Sequence, residues 1–231
     1  MKKILTIIGL AAASLAGVNA QVILTWNFTD DNATVDSGTP VNFTVSAFSI
    51  GNSLGTVSDP VNATSPSSGY TGASGTGNIG NAFRIGALNT GASGSGYLEF
   101  TLTPDAGKKI KLTNFDFGVR STSTGPQAFT LRTSVDSYAS DLFTGTIANN
   151  STWTLKDNSV SFTSSTDGAA VTFRLFGYSG TGSPGSGTQN GRFDDITMTV
   201  EAIPEPQTWA LIGIGSAFML WNLRRRREIK L

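Results

Sequence analysis

From residue 22 onward, apolar side chains alternate with Thr, Ser, Asn and charged residues in runs of five to ten, the two-residue period of a half-buried strand. The alternation predicts strands over Val22–Phe28, Val41–Ser49, Ala82–Leu88, Tyr97–Thr103, Ile110–Val119, Ala128–Ser134, Ser151–Leu155, Ser159–Thr163, Ala170–Tyr178 and Arg192–Val200. No amphipathic helix separates them. Some ten short strands punctuated by Gly, Asn, Asp and Ser argue for an all-β sandwich, and the length of chain per strand favours a jelly-roll-like arrangement over an immunoglobulin-like one. The alternation in Phe115-Asp116-Phe117 and Phe173-Arg174-Leu175-Phe176 places rings on one face, so most of the 14 Phe are expected in the core.

Two segments break the rhythm. Residues 51–81 are rich in Gly and Ser with Pro60 and Pro66, and residues 177–191 are Gly-rich with Pro184. Loops of that length in a compact domain are either functional or poorly ordered. Low order is expected for much of the first, with Tyr70 its only aromatic anchor. The second leads into Asn190-Gly191-Arg192-Phe193-Asp194-Asp195-Ile196, which resembles the C-terminal strand of jelly-roll lectin-like and carbohydrate-binding modules.

The ends follow a different logic. Met1-Lys2-Lys3, an apolar run from Ile4 to Val18, and Val18-Asn19-Ala20 before Gln21 form the three parts of a secretory signal peptide over 1–20. At the other end, Trp209–Leu223 is apolar on all sides and is closed by Arg224-Arg225-Arg226-Arg227. A helix of that length covers about 22 Å, short of a hydrocarbon layer of about 30 Å. Trp209 and Trp221 suit interfacial positions, and the arginines would keep the terminus cytoplasmic. A marginal transmembrane helix over 208–223 is therefore expected.

Just before it stands Pro204-Glu205-Pro206. This triplet, a short apolar helix and a terminal Arg cluster, in that order, resemble the PEP-CTERM sorting signal of Gram-negative bacteria, also labelled an ice-binding protein C-terminal domain. The resemblance covers residues 203–231 and implies sorting by an exosortase, a membrane cysteine protease that cuts near the motif. It further implies an inner-membrane-anchored precursor released to the cell surface or extracellular space, in the company of exopolysaccharide or biofilm matrix. The sorting residues would be Pro204, Glu205, Pro206, Arg224, Arg225, Arg226 and Arg227. Glu228 to Leu231 extend past the pattern.

Composition narrows the chemistry of the domain between, residues 21–202. The 231-residue chain contains no His and no Cys. That removes Ser-His-Asp and Cys-His nucleophiles, imidazole or thiolate metal sites and disulfides. Thr, Ser, Asn and Gly dominate, and only 14% of residues are charged. Residues 21–203 hold 14 acids against nine bases, a formal charge of −5. Nucleic acid is thereby excluded as a partner, since phosphate binding needs a basic footprint.

Oxygen chemistry remains. If the first and last strands pair, Asp30, Asp31, Asp194 and Asp195 could converge as ligands for a structural Ca²⁺, the one cofactor the sequence suggests. Simple turns at strand ends are the alternative. Glycan hydrolysis needs two carboxylates about 5–9 Å apart, and Glu99 is the only Glu in the body of the domain, with Glu201 at its end. In Arg132-Thr133-Ser134-Val135-Asp136-Ser137-Tyr138, Asp136 and Ser137 are expected to satisfy turn amides while Tyr138 folds back onto the sheet. The Asn-x-Thr triplets at Asn27, Asn32, Asn42, Asn62 and Asn150 read as strand and turn chemistry. Together these features predict a non-enzymatic, glycan-contacting surface or matrix protein. The alternatives are a secreted glycan-active enzyme using carboxylates and an ice-binding surface, the latter without the fixed-period Thr array it requires.

Overall fold

The computed structural model describes residues 21–182, 185–204, 213 and 215–221. In chain order the strands are β1 (Gln21–Trp26), β2 (Phe43–Val45), β3 (Ser49–Gly51), β4 (Val61–Asn62), β5 (Asn78–Asn81), β6 (Tyr97–Pro104), β7 (Lys108–Ser121), β8 (Ala128–Thr133), β9 (Phe143–Thr146), β10 (Thr154–Lys156), β11 (Ser159–Thr163), β12 (Val171–Tyr178) and β13 (Gly191–Pro204). They form two antiparallel sheets, so the described fold is all-β, as expected. One sheet runs β10-β7-β13-β5-β4, with β1 also on β13 and β11 also on β7. The other runs β2-β6-β12-β8-β9, with β3 also on β6.

The alternation explains the layers. On the first sheet Leu24, Trp26, Leu112, Phe115, Phe117, Ile196, Met198 and Val200 are buried, and on the second Leu98, Phe100, Leu102, Phe129, Leu131, Phe173 and Leu175 are. These inner faces meet through rings. Phe100 stacks on Phe173 of its own sheet at 5.0 Å and on Phe115 of the facing sheet at 5.6 Å. The prediction that Phe serves the core holds for Phe173, while Phe176 lies outside the core cluster, on the other face of the second sheet.

The predicted run Ser151–Leu155 shortens to β10, and four further segments differ from the sequence expectation, each for a local reason. The run Val41–Ser49 splits into β2 and β3, because the amides of Ser46 and Phe48 turn to the carbonyls of Thr101 and Ala33. Ala82–Leu88 is not a strand. The strand lies upstream at β5, and the Asn190 side chain takes the place of a neighbouring strand for Phe83, accepting its N–H and donating to its carbonyl. β9 was hidden by Gly145, whose missing side chain makes room for the Phe129 ring. Residues 51–81 are more structured than expected. They contribute β4 and β5, and Tyr70, Ser67 and Ser74 are fastened to the last strand.

The expected signal peptide, 1–20, lies outside the described residues, as does half of the expected span 208–223. Residues 213 and 215–221 are helical, with Phe218, Met219, Leu220 and Trp221 exposed. Among the described residues no helix is long and apolar enough to cross a membrane.

Candidate functional site

The outer face of the second sheet carries a row that strand register assembles. Arg174 of β12 lies opposite Glu99 of β6 on one side and Arg132 of β8 on the other. Two adjacent guanidinium groups repel, and each is answered by an acid. Arg174 Nε donates to Glu99 at 2.6 Å, and Arg132 Nε donates to Asp141 at 2.6 Å. Asp141 also accepts the Thr130 hydroxyl at 2.7 Å. Above and below Arg174 lie Tyr97 and Tyr138, each ring centroid 4.2 Å from its guanidinium carbon. Such stacks each contribute roughly 0.5–1 kcal/mol at partly exposed sites.

Tyr97 reaches this position because β3 offers Gly51 beneath it; a β-carbon there would collide with the phenol ring. Tyr138 reaches it through a tight turn. Residues 134–136 form a single 3-10 turn, Ser137 and Tyr138 take positive φ (58° and 62°), and Asp136 accepts the amides of Ala139 and Ser140. The expectation that Asp136 serves turn amides while Tyr138 folds back is met; among the described residues the Ser137 hydroxyl, expected to do the same, does not share in it. Phe176 is sealed beneath both tyrosines, at 5.4 and 6.2 Å. Burial pushes the Tyr138 hydroxyl up from its ordinary value, so it stays a neutral donor at any physiological pH. Thr101 and Thr172, hydrogen-bonded at 2.9 Å, continue the face. It is a shallow, polar surface with two aromatic rims and paired charges.

A second constellation sits where β13 bulges. Asp194 opposes Gly118, but Thr197 opposes Asp116, so two residues of β13 stand against one of β7. Asp195 takes the positive φ of 49° that the bulge demands. Its carboxylate accepts the Tyr70 hydroxyl, the Ser67 hydroxyl at 3.1 Å and the Ser74 amide at 3.1 Å. Gly118 leaves room for the Tyr70 hydroxyl, which a β-carbon would strike. Asp194 is fully buried and accepts the Asp195 amide at 2.7 Å and the Ser74 hydroxyl at 3.3 Å. Burial pushes its carboxyl up to about 7, with the Asp195 charge adding in the same sense. Burial and the bond to Asp195 likewise push the Tyr70 hydroxyl far up.

Beside the bulge is an open depression of about 240 Å³ lined in part by Tyr70, Asp116, Asp157 and Asp195. Burial raises the Asp116 carboxyl. It accepts the Asn158 amide at 2.8 Å and a hydrogen bond from the Asn114 side chain.

The first and last strands do pair, with Trp26 opposite Ile196. Asp30 and Asp31 lie in an exposed turn, whereas Asp194 and Asp195 are drawn into the loop fastening. Among the described residues no group of three or more acidic side chains is placed to hold a metal ion. Asp36, which the sequence did not single out, is the acid that closes the end of β1, accepting the amides of Asn27 and Phe28 at 2.6 and 3.0 Å. Glu99 and Glu201 are each engaged by a base, Arg174 and Lys111. Asn32, Asn62 and Asn150 each accept the amide two residues on, so those three Asn-x-Thr triplets are Asx turns. Arg192 is almost fully buried between the Asn62 and Asn78 carbonyl oxygens, and burial lowers its pKa to about 10.

The C-terminal exit completes the picture. β13 does not stop at Val200 but carries Ala202, Ile203 and Pro204 in register with Ile110, Lys109 and Lys108 of β7. Of the expected sorting residues, Pro204 is thus the end of a strand; Glu205, Pro206 and Arg224 to Arg227 lie outside the described residues. The chain carries the PEP-CTERM protein-sorting motif, matched by its family model over residues 202–227. None of the curated proteins matches the chain. Among solved structures it is similar to one reported as "CBM4 structure and function", at 16% identity over 54% of this chain and 70% of that one, with a TM-score of 0.32. It is also similar to the K3 cleaved adhesin domain of Lys-gingipain from Porphyromonas gingivalis, at 14% identity over 77% of this chain and 98% of that one, TM-score 0.33.

Proposed function

We propose that this is an exported, exosortase-sorted protein of the cell surface or exopolysaccharide matrix, first held at the inner membrane by its C-terminal helix and then released. On this reading residues 1–20 are removed as a signal peptide, residues 21–202 form a jelly-roll-like domain without cofactor or catalytic role, and residues 203–231 are the sorting tail. The domain contacts polysaccharide through the outer face of its second sheet. The observation that carries the contact is the Tyr97–Arg174–Tyr138 stack on an open sheet face. Aromatic edges, guanidinium N–H groups and threonine hydroxyls together suit the apolar and hydroxyl faces of a sugar ring.

A polysaccharide array probed with the purified protein tests this. Binding should fall roughly 10-fold when Tyr97 and Tyr138 are both replaced by alanine, at about 1 kcal/mol or less per ring, with the circular dichroism spectrum unchanged. Binding that survives the double substitution rejects the face.

The depression holding Asp116, Asp157 and Asp195 is the observation that favours a carboxylate enzyme instead. Against it, Asp195 and Asp116 already accept hydrogen bonds from neighbouring protein groups. Release of reducing ends from any matrix polysaccharide, lost in Asp116→Asn, would establish the enzymatic reading. For ice binding, Thr25, Thr197 and Thr199 share the outer face of the first sheet, but Ile23 and Glu201 interrupt them within the same strands.

A further inference from the structure

The sorting segment has no spacer in front of it. Its match begins at Ala202, which is 3% exposed, in the core, and opposite Ile110. Ile203 and Pro204 follow in register with Lys109 and Lys108. β1, the other neighbour of this end of β13, begins at Gln21 opposite Glu201. Among the described residues, Ala202 to Pro204 are therefore held by β7 alone. From the buried Ala202 to Glu205 is only three residues, about 10 Å of fully extended chain.

A protease takes its substrate as an extended segment whose backbone groups bond to the enzyme's cleft. Backbone groups already paired with β7 are not free to do so, and a side chain seated in the core cannot enter a subsite. We propose that the end of β13 is a gate on tail removal: cutting at the Pro-Glu-Pro segment requires Ala202 to Pro204 to peel from β7 first. The inference rests on the sorting function proposed above and adds to it a coupling between processing and folding. A chain whose last strand is still unpaired is cut readily, whereas a completed sheet slows the cut to the rate set by local opening. Where opening and closing are fast compared with cleavage, that rate follows the open population.

The chain has no cysteine, so an introduced pair is unambiguous. The test follows conversion of the full-length chain from tail-bearing to cut form, by pulse-chase in cells carrying an exosortase. Lys109→Cys with Ile203→Cys places two thiols on directly opposed positions of an antiparallel pair, within reach of a disulfide. This clamp should slow conversion at least 10-fold, and reductant should restore it. A six-residue Gly/Ser insert between Ile203 and Pro204 frees the motif from the sheet and should speed conversion at least 3-fold. A third variant replaces Pro204, Glu205 and Pro206 by alanine. If that variant stays unprocessed while clamp and spacer both run at the unmodified rate, the gate is overturned and sorting stands. If it is processed normally, the sorting function falls and the gate with it.

Discussion

At the scale of single residues, Asp194 is the most consequential side chain outside the core. A carboxyl whose folded-state value is raised to about 7, from 3.8 when unfolded, binds more protons in the folded chain than in the unfolded one between those limits. Its contribution is therefore fully present below about pH 4 and is lost as pH rises toward 7. The loss is on the order of 4 kcal/mol, at about 1.4 kcal/mol per unit of pH over some three units. Thermal melts across that range should show a falling midpoint, and Asp194→Asn should flatten the curve; an equally steep decline in the variant would assign the effect elsewhere. Tyr70→Phe leaves the Asp195 carboxylate short of one donor and should cost about 1–3 kcal/mol in denaturant melts. Neither group was legible as a partner of the other, because 125 residues separate Tyr70 from Asp195. The sequence did mark both, one as the sole aromatic of its loop and the other as half of an Asp-Asp pair.

At the scale of elements, alternation located the long strands well. Ser159–Thr163 coincides with its predicted run, and β6, β8 and β12 match theirs to within a residue. It failed where pairing is carried by something other than a neighbouring strand. Asn190 stands in for one at Phe83 and also donates to the Thr124 carbonyl. Asn190→Ala removes all three bonds from a buried site and should destabilise the fold by about 2–4 kcal/mol, measured by urea titration. The long β13 behaves differently along its length: three neighbours share it, β5 at its start, β1 over its middle and β7 nearly throughout. Among the described residues its final positions keep only the last of these, which is where the proposed gate lies.

At the scale of the whole molecule, the core is a sandwich of Phe layers with neither disulfide nor described metal cluster to support it. Because Asp194 and Asp195 already accept hydrogen bonds from protein groups, its stability should be indifferent to chelation. The melting midpoint of the purified protein should be the same with and without EDTA; a drop of several degrees would revive a bound Ca²⁺. Phe100, which touches rings of both sheets, is a position where one truncation loosens the two layers together, and Phe100→Ala should cost about 3–5 kcal/mol. The sequence by itself determined the all-β class, the strands of the core and the sorting tail, since each is written in the local order of residue types: a period of two, a Pro-Glu-Pro triplet before an apolar run, a closing Arg cluster. Only the tertiary structure decided which outward-facing residues meet. The Tyr97–Arg174–Tyr138 stack, the fastening of Tyr70 onto the β13 bulge and the pairing of Pro204 with Lys108 all join positions distant along the chain. Their register is set by strand pairing and turn geometry, and no local pattern encodes it.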